Sequence, residues 1–475
     1  MPPRRRLQGR SRGFPWRPSA APESKRLYRA VDHGVPVPLR LSDFAPPTRS
    51  GGWGTFAESF LRLNEKALVA LDVSARIAPG SLEPTVELIP GGRTGAIPLR
   101  SAQTGESAAG LLVQPRFGWS GIGNVMAETG WAASPQFLDL PLVPGSARDV
   151  PPWVLSGPVL ARLADLLRSL GRGYEVREET RQTPRGQIIW RRYLAESMVT
   201  GRWHQLPCRF PDLTQDPYLR RAIRWALERV RGELVGVGGR DPIALQLSDV
   251  ARLLLSQLLD VIPVRPRSGD LERRLQFGVV GEVAIRRGLE ALGWVVDERG
   301  LGGGRELDGL AWQLPLDQLW ERYVEAAIRR EAANEGGEVL VGRLGQTTIP
   351  LHWSEPGLRS LGHLVPDIIV RRGRAILIVD AKYKAHLAEL DESGWRAASE
   401  ELREAHRADL HQVLAYASFF DAEETTACLV YPIRQATWEA LRAKHQDVWR
   451  AEIATRGRNI RLELRGLPFG SLRAA

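Results

Sequence analysis

The first third of the chain carries its apolar residues in short runs that end at glycine and proline clusters. Two such runs lie at residues 67–73 and 110–114. Alternation of apolar and polar positions between turn-forming residues is typical of β-strands. The pattern therefore predicts a β-rich N-terminal domain over residues 31–150.

From Pro151 onwards the apolar spacing becomes helical. Valines and leucines between Val159 and Leu170 recur every three or four residues, and this stripe ends at Gly171. The same spacing continues in three further segments, residues 217–234, 242–259 and 270–293. We predict a helical middle region over residues 151–300, followed by a glycine-rich boundary loop over residues 300–309.

The last third of the chain contains both kinds of spacing, in the order helix, strand, strand, helix, strand. In that order the predicted elements are residues 315–332, 364–370, 375–383, 397–420 and 426–431. A mixed order of this kind indicates a sheet flanked by helices. The predicted fold class is therefore mixed α/β, with a C-terminal domain over residues 313–475 built on a mixed sheet.

Composition narrows the class of protein. The 475 residues carry a net charge of +10, and most of it lies in residues 1–30, where nine basic residues face one acidic residue. This proline-rich tail is predicted to be disordered. Cys208 and Cys428 are too few for a disulfide framework or a four-cysteine zinc site. No apolar run reaches the length of a membrane span, so we expect a cytoplasmic protein with no membrane partner.

Lysine is rare in this sequence. Of 65 basic residues only five are lysines, and two of these, Lys382 and Lys384, lie within three residues of each other. An ammonium group differs from a guanidinium in its hydration and in its ability to shift its pKa. Lysines retained in an arginine-rich chain therefore indicate chemistry that arginine does not supply.

Two apolar runs before Lys382 flank a short segment with glycine, which predicts a β-hairpin. With a two-residue turn at residues 372–373, Asp367 faces Ile378. Asp367 then lies diagonal to Asp380, about 7–8 Å away between Cα atoms. Because side chains alternate along a strand, Lys382 shares the face of Asp380.

The second strand of this hairpin is apolar on both faces until Asp380, which predicts a buried central strand. Two carboxylates at its end are unfavourable unless they are paired or bind a metal. Oxygen ligands suit Mg²⁺ or Mn²⁺, so Asp367 and Asp380 are the predicted metal ligands. Lys382 would orient an attacking water or stabilise negative charge on a phosphate. The alternative is a surface hairpin with an Asp–Lys pair.

The pattern Pro366-Asp367, a spacer and Asp380-Ala381-Lys382 resembles the PD-(D/E)xK nuclease motif. The run from Asp380 to Lys384, followed by the run 409–416 (Asp-Leu-His-Gln-Val-Leu-Ala-Tyr), is similar to the McrC family, the nuclease subunits of McrBC restriction systems. Weaker similarities continue upstream in the expected order, with gaps, to about residue 100.

This resemblance implies a Mg²⁺-dependent DNA endonuclease subunit that a McrB-like AAA+ GTPase recruits to double-stranded DNA. GTP would be used only by that partner. Asp367, Asp380 and Lys382 would form the catalytic core. Glu321 would be the helix-borne acidic residue of the wider nuclease fold, although pairing with Arg322 or Arg329 is an equal alternative for it.

Three further residues would support the site or contact DNA. Gln412 and Tyr416 match the Gln-x-x-x-Tyr motif of RecB-like nucleases and lie on one face of a helix. Lys384 lies on the strand face of Lys382 and would reach a phosphate. The competing readings are a packing role for Tyr416 and solvated surface positions for Gln412 and Lys384.

Two other functions fit the sequence. One is a stand-alone RecB-like repair or processing nuclease, and the other is a non-catalytic scaffold that activates a partner GTPase. The sequence contains no P-loop with the ending Gly-Lys-Ser/Thr, so we expect no nucleotide hydrolysis by this chain itself.

Overall fold

The computed structural model describes residues 26–44, 52–78, 85–129, 133–146, 150–170, 173–214, 217–237, 241–277, 283–297, 308–352, 362–384, 400–455 and 458–470. Helices and several sheets are mixed along the chain, which confirms the predicted mixed α/β class. Residues 1–25 of the predicted tail and 300–307 of the predicted boundary loop lie outside the described residues. Strand β1 (Arg26–Val31) overlaps the end of that tail, so disorder is wrong for residues 26–30, which hydrogen-bond to another strand.

In its described residues, the N-terminal part combines two sheets with two α-helices and a short 3-10 helix (Leu41–Phe44). After β1, its described elements are β2 (Val37–Arg40), α1 (Trp53–Ala70), β3 (Val73–Ala78), β4 (Thr85–Pro90), β5 (Arg93–Arg100), β6 (Ser107–Gln114), α2 (Gly118–Glu128) and β7 (Gln136–Phe137). β1 pairs in parallel with β6, which pairs with β5, while β2, β4 and β3 form the second sheet. The ends of β1 and β6 therefore lie side by side.

One predicted strand in this part is partly wrong. Residues 67–70 of the run at 67–73 form the last turn of α1. Phe56, Phe60 and Leu68 recur at multiples of four and are buried, so the helical stripe decides the structure of this segment. A short apolar run alone does not distinguish the two periods. The strand predicted at residues 110–114 is confirmed as part of β6.

The described middle of the chain is mainly helical, with one interruption by strands. Its described elements are α3 (Pro152–Ser169), β8 (Gly173–Arg181), β9 (Gln187–Ile188), β10 (Leu206–Thr214), α4 (Pro217–Val237), α5 (Pro242–Ser256), α6 (Ser268–Phe277) and α7 (Val283–Val296). The small sheet β8–β10–β9 was not predicted, because much of it is exposed and polar and shows little apolar alternation. Within the described residues, no helix combines the length and the apolar character needed to cross a bilayer.

The C-terminal part is built on a six-stranded sheet with the order β12-β15-β16-β17-β19-β18. Its described elements are β11 (Trp312–Pro315), α8 (Leu316–Glu335), β12 (Glu338–Val341), β13 (Ile349–Pro350), β14 (His363–Leu364), β15 (Ile368–Arg372), β16 (Ala375–Ala381), α9 (Glu400–Ser418), β17 (Glu424–Ile433), α10 (Gln435–Ala443), β18 (Val448–Thr455) and β19 (Arg458–Pro468). β16 is antiparallel to β15 and parallel to β17. β11 instead pairs with β5 and β7 in the N-terminal sheet.

Strand β16 is covered on both faces, as the sequence predicted. Ile378 belongs to an apolar cluster with Val413 of α9, while Val379 belongs to a larger cluster with Trp320 of α8 and the middle helices. Both isoleucine and valine are fully buried. The surface-hairpin alternative therefore does not describe this strand.

The register of the predicted hairpin is shifted by two residues. Arg372 pairs with Ala375 and Ile368 pairs with Val379, so the two-residue turn is formed by Gly373 and Arg374. Gly373 has a φ of 59°, which suits the first central position of a tight hairpin turn. One step beyond the last pair, Asp367 lies opposite Asp380 rather than diagonal to it. A shift of two keeps both carboxylates on the predicted face.

Two glycine substitutions test the turn. A methyl group added at Gly373 or at Gly232 in α4 meets no atom within 4 Å, but only Gly373 has a positive φ. We expect Gly373→Ala to lower the free energy of unfolding by about 1 kcal/mol, because alanine is strained in that conformation. Gly232→Ala should raise it by about 0.5–1 kcal/mol. Chemical denaturation measures both, and equal shifts of one sign would contradict the assigned turn.

Candidate active site

Two carboxylates lie close together at the C-terminal end of β16. Asp380, the penultimate residue of β16, is 2% exposed. Asp367 immediately precedes β15, and the backbone amide of Ala381 donates a 2.8 Å hydrogen bond to Asp367 Oδ2. The backbone amide of Gly342 donates to the carbonyl oxygen of Asp367 at 2.8 Å. Asp367 is thus fixed from two sides beside Asp380.

The two acids have an unfavourable electrostatic environment. Burial raises the pKa of Asp367 far above its ordinary value, and the negative charges of Asp380 and Glu321 raise it further. Asp380 Oδ2 is buried and, among the described residues, receives no hydrogen bond. The ammonium group of Lys382 lies 2.8 Å from it as an ion pair, but without the geometry of a hydrogen bond. One lysine therefore faces an excess of negative charge.

Lys382 is held as a cation. Its Nζ donates a 2.9 Å hydrogen bond to Gln412 Oε1 and pairs with Asp380. Burial alone would lower the pKa of Lys382, but the charges of Asp380, Asp409 and Asp367 raise it above its ordinary value. Lys382 consequently acts as a donor and a positive charge, and a role as a base is disfavoured.

Helix α9 supplies the second layer of the site. The side-chain amide of Gln412 donates a 2.8 Å hydrogen bond to the hydroxyl oxygen of Tyr416, one turn further along the helix. Tyr416 is 6% exposed and packs against the sheet. The chain of contacts from Tyr416 through Gln412 fixes the position of the Lys382 ammonium group.

Lys384 lies beside the site but is tied to a buried acid. Its Nζ is 2.6 Å from Asp409 Oδ1, and Asp409 is 3% exposed. Tyr431 donates a 3.2 Å hydrogen bond to Asp409 Oδ2, and its hydroxyl lies 3.2 Å from His406 Nδ1. Sequence reasoning assigned no role to Asp409, Tyr431 or His406, because their contacts join α9 to the sheet and no local pattern signals them. This network secures α9 against the sheet.

Glu321 lies on α8, within the electrostatic field of Asp380 and Lys382. Glu321 is exposed to solvent as a whole residue, and it makes no hydrogen bond or ion pair within the described part of the chain. Partial burial of its carboxyl group raises its pKa, as do the charges of Asp317 and Asp380. The alternative partners of Glu321 are engaged elsewhere, since Arg329 pairs with Glu325 at 3.0 Å.

Glu325 draws the nearby cations away from Glu321. It is 7% exposed and pairs with Arg329 at 3.0 Å, Arg343 at 2.9 Å and Arg322 at 3.8 Å. Four residues separate Glu325 from Glu321, about one helical turn. Both arginines that could have neutralised Glu321 therefore have a closer acidic partner.

The donor set fits a hard divalent cation held by few protein ligands. Among the described residues, no group of three or more His, Cys, Asp or Glu side chains is arranged to hold a metal. The fit rests instead on the opposed carboxylates of Asp367 and Asp380, for which the described residues supply one ammonium group, that of Lys382, 2.8 Å from Asp380 Oδ2. Mg²⁺ is commonly held by one or two carboxylates, with water and phosphate oxygens as its other ligands.

The structure connects five of the seven predicted site residues by hydrogen bonds and an ion pair, and a sixth, Glu321, interacts electrostatically with Asp367. These are Asp367, Asp380, Lys382, Glu321, Gln412 and Tyr416. Lys384 is adjacent, in contact with Asp409. Their geometry is compatible with holding a cation beside a fixed ammonium group. Their functional roles stay predictions.

Comparison with known proteins gives a match to a family model and matches to distant solved structures, including two from Thermococcus gammatolerans. Residues 301–432, which include all seven predicted site residues, match the family model of the McrBC 5-methylcytosine restriction system component. A refined half-complex from the tetradecameric assembly of Thermococcus gammatolerans McrB AAA+ hexamers with bound McrC matches at 14% identity and a TM-score of 0.38, covering 94% of this chain and 96% of that chain. The cryo-EM structure of the Thermococcus gammatolerans McrBC complex matches at 13% identity and 0.28, covering 64% and 87%. No curated protein matches the chain.

Metal binding can be tested without any assay of activity. We expect Mg²⁺ or Mn²⁺ to stabilise the wild-type protein by about 2.7 kcal/mol when the free ion is at 100 times its dissociation constant. Asp380→Asn should remove this stabilisation, because one of the two carboxylate ligands is lost. In EDTA the same variant should be at least as stable as wild type, because a repulsive buried charge is gone. Thermal unfolding with and without each ion measures these shifts.

A matched control for this variant is Asp43→Asn. Asp43 lies in the N-terminal part and accepts a hydrogen bond from Tyr28, so its loss should destabilise the protein and leave the shift caused by the ion intact. An ion-dependent shift that survives in Asp380→Asn would exclude the proposed ligand.

Proposed function

We propose that this chain, whose residues 301–432 match the family model of the McrBC 5-methylcytosine restriction system component, is a metal-dependent DNA endonuclease subunit. It would hydrolyse phosphodiester bonds of double-stranded DNA when an AAA+ GTPase of the McrB kind recruits it. In this proposal the C-terminal sheet is a PD-(D/E)xK nuclease core, and the protein works in restriction of foreign DNA.

The observation that carries this proposal is the meeting of two acids and a lysine at the end of β16. Asp367 and Asp380 lie opposite each other, and the ammonium group of Lys382 is 2.8 Å from Asp380. A fold gains no stability from placing a half-buried carboxylate opposite a buried one, so such a cluster is more often functional than structural. The PD-(D/E)xK motif requires this combination of residues.

The residues divide the chemistry among them. Asp367 and Asp380 would hold Mg²⁺ or Mn²⁺, which when bound supplies a Lewis acid for the phosphate and lowers the pKa of a coordinated water. Lys382 places a fixed positive charge beside the position where negative charge develops on the phosphate. Gln412 holds that ammonium group in place, and Tyr416 holds Gln412. Glu321 would contribute a third carboxylate that accepts a hydrogen bond from water.

The partner in this proposal follows from the family and from the sequence. The family description assigns its members to a restriction system. The sequence contains no P-loop, so nucleotide hydrolysis would be carried out by another chain. Mg²⁺ would serve this chain, and GTP would serve only the partner.

Substitution of Lys382 tests the proposed chemistry. We expect Lys382→Arg to reduce kcat for DNA cleavage by about 10²–10³-fold, because a planar guanidinium cannot take the position of the ammonium group between Asp380 and Gln412. The double variant Asp367→Ala with Asp380→Ala should not cleave at all. The measurement is cleavage of methylated plasmid DNA by the protein with its GTPase partner, Mg²⁺ and GTP.

Lys444→Arg is the matched control, because Lys444 is exposed at the end of α10 and should be replaceable without effect. Cleavage that persists in the double alanine variant would exclude this site. Cleavage by wild type without partner or GTP would favour a stand-alone nuclease. Stimulation of the GTPase without cleavage under any condition would favour a scaffold.

Glu321→Gln separates the helix-borne acid from the core. We expect kcat to fall by about 10- to 100-fold, less than for the core residues, because the amide keeps the shape but loses a charge near the proposed ion. Affinity for DNA should stay the same or rise. Glu335→Gln, at the far end of α8, is the control. Equal activity of Glu321→Gln and wild type would remove Glu321 from the site.

A further inference from the structure

The backbone next to Lys382 is also held on the face of the sheet opposite α9. Asp380 and Lys382 face α9, whereas Tyr383, one residue later, belongs to the apolar cluster on the opposite face of the sheet. Tyr383 is 6% exposed and packs edge-on against Phe117 and tilted against Phe469. The backbone that positions Lys382 is thus fixed by a side chain pointing away from the site.

The hydroxyl of Tyr383 ends on a buried acid of the N-terminal part. It donates a 2.8 Å hydrogen bond to Asp32 Oδ2, and Asp32 is fully buried. The backbone amide of Arg116 donates a 2.5 Å hydrogen bond to Asp32 Oδ1. The guanidinium group of Arg116 lies over the ring of Tyr383, 4.6 Å from its centroid, with Nε 3.5 Å from Asp32 Oδ2. We call Asp32, Arg116 and Tyr383 the rear clamp.

The rear clamp is anchored on a rigid base. Asp32 follows the last residue of β1, and Arg116 lies two residues after the end of β6, its parallel neighbour. The backbone amide of Asp32 donates a 3.0 Å hydrogen bond to the carbonyl oxygen of Gln114, which joins the two strand ends. Movement of Tyr383 would therefore require movement of a paired sheet or exposure of a buried carboxylate.

Lys382 needs such an anchor because sheet pairing ends there. β16 stops at Ala381, and the amide of Lys382 makes one more sheet-like bond, 2.9 Å to the carbonyl oxygen of Val430. The next bond, from the amide of Lys384 to the carbonyl oxygen of Lys382, closes a turn. Beyond this point the ladder no longer fixes the backbone, and the side chain of Tyr383 takes over that task.

We propose that Tyr383, held by Asp32 and Arg116, is a positioning residue that sets the place of Lys382 from the N-terminal sheet. The proposal rests on the function proposed above and extends it, because it links the N-terminal part of the chain to the cleavage step. A displacement of the N-terminal sheet would move Tyr383 and with it the ammonium group. Displacements of about 1 Å at a catalytic group are enough to change a rate by 10²-fold.

The experiment is Tyr383→Phe, with Tyr28→Phe as a closely matched control. Tyr28 lies in β1 and donates a 2.5 Å hydrogen bond to Asp43 Oδ2, and Asp43 also pairs with Arg26. Both variants thus lose a tyrosine hydroxyl from an Asp–Arg–Tyr cluster of the same region. We expect kcat for DNA cleavage to fall by about 10- to 100-fold in Tyr383→Phe alone, with KM for DNA unchanged in both.

Hydrogen exchange supplies a readout that does not depend on cleavage. In Tyr383→Phe the amides of Ala381 and Lys382 should exchange faster by at least about tenfold, because local opening requires less free energy. In Tyr28→Phe their exchange should match wild type. If Tyr383→Phe accumulates poorly, Asp32→Asn replaces it in the same comparison, since it removes the charge that faces Arg116.

The outcomes distinguish the two proposals. Faster exchange at Ala381 and Lys382 supports the positioning role even if the wild-type protein does not cleave DNA, a result that would overturn only the nuclease proposal. Unchanged exchange together with unchanged kcat in Tyr383→Phe overturns the positioning role. A loss of kcat that appears equally in Tyr28→Phe also overturns it, because the effect would then be one of general stability.

Discussion

The constraint on which the site depends is the burial of like charges at the end of a central strand. Asp367 and Asp380 repel each other, and among the described residues one ammonium group, that of Lys382, partly offsets their negative charge. Apolar packing on both faces of β16 imposes this arrangement. Full burial of an aliphatic side chain contributes about 1.5–3 kcal/mol, so Ile378, Val379 and their neighbours outweigh the repulsion. The excess negative charge of the two carboxylates therefore remains and attracts a cation.

Alternation along one strand separates two tasks. Even-numbered residues from Ile378 to Lys384 face α9, where Gln412 and Asp409 receive the lysines. Odd-numbered residues from Val379 to Tyr383 face the large core, which the middle helices and α8 share. The side chains of the proposed chemistry therefore lie on one face of the strand, and those of its proposed support lie on the other. A single strand can serve both because its side chains point in opposite directions.

The parts of this site that were predictable are local in sequence. The hairpin and the buried strand follow from short patterns, and even the shift of two residues left Asp367 and Asp380 on the right face. The family resemblance supplied Gln412 and Glu321, which periodicity could not. The contact of Asp32 with Tyr383 spans 351 residues, and no local pattern signals a partner at that distance. The last turn of α1 at residues 67–70 was missed because a short apolar run does not by itself distinguish a helix from a strand, whereas the stripe of Phe56, Phe60 and Leu68 along the whole helix does.

Strand β11 gives the chain a property that matters for protein engineering. Its four residues sit between β5 and β7, inside the N-terminal sheet, yet they lead directly into α8, which carries Glu321. Excision of the C-terminal segment together with β11 would leave a gap between β5 and β7 in the N-terminal sheet. Excision without β11 would remove the residues that lead into α8. The proposed cleavage domain therefore cannot be moved on its own: a graft onto a DNA-binding protein would have to include the N-terminal sheet that contains β11.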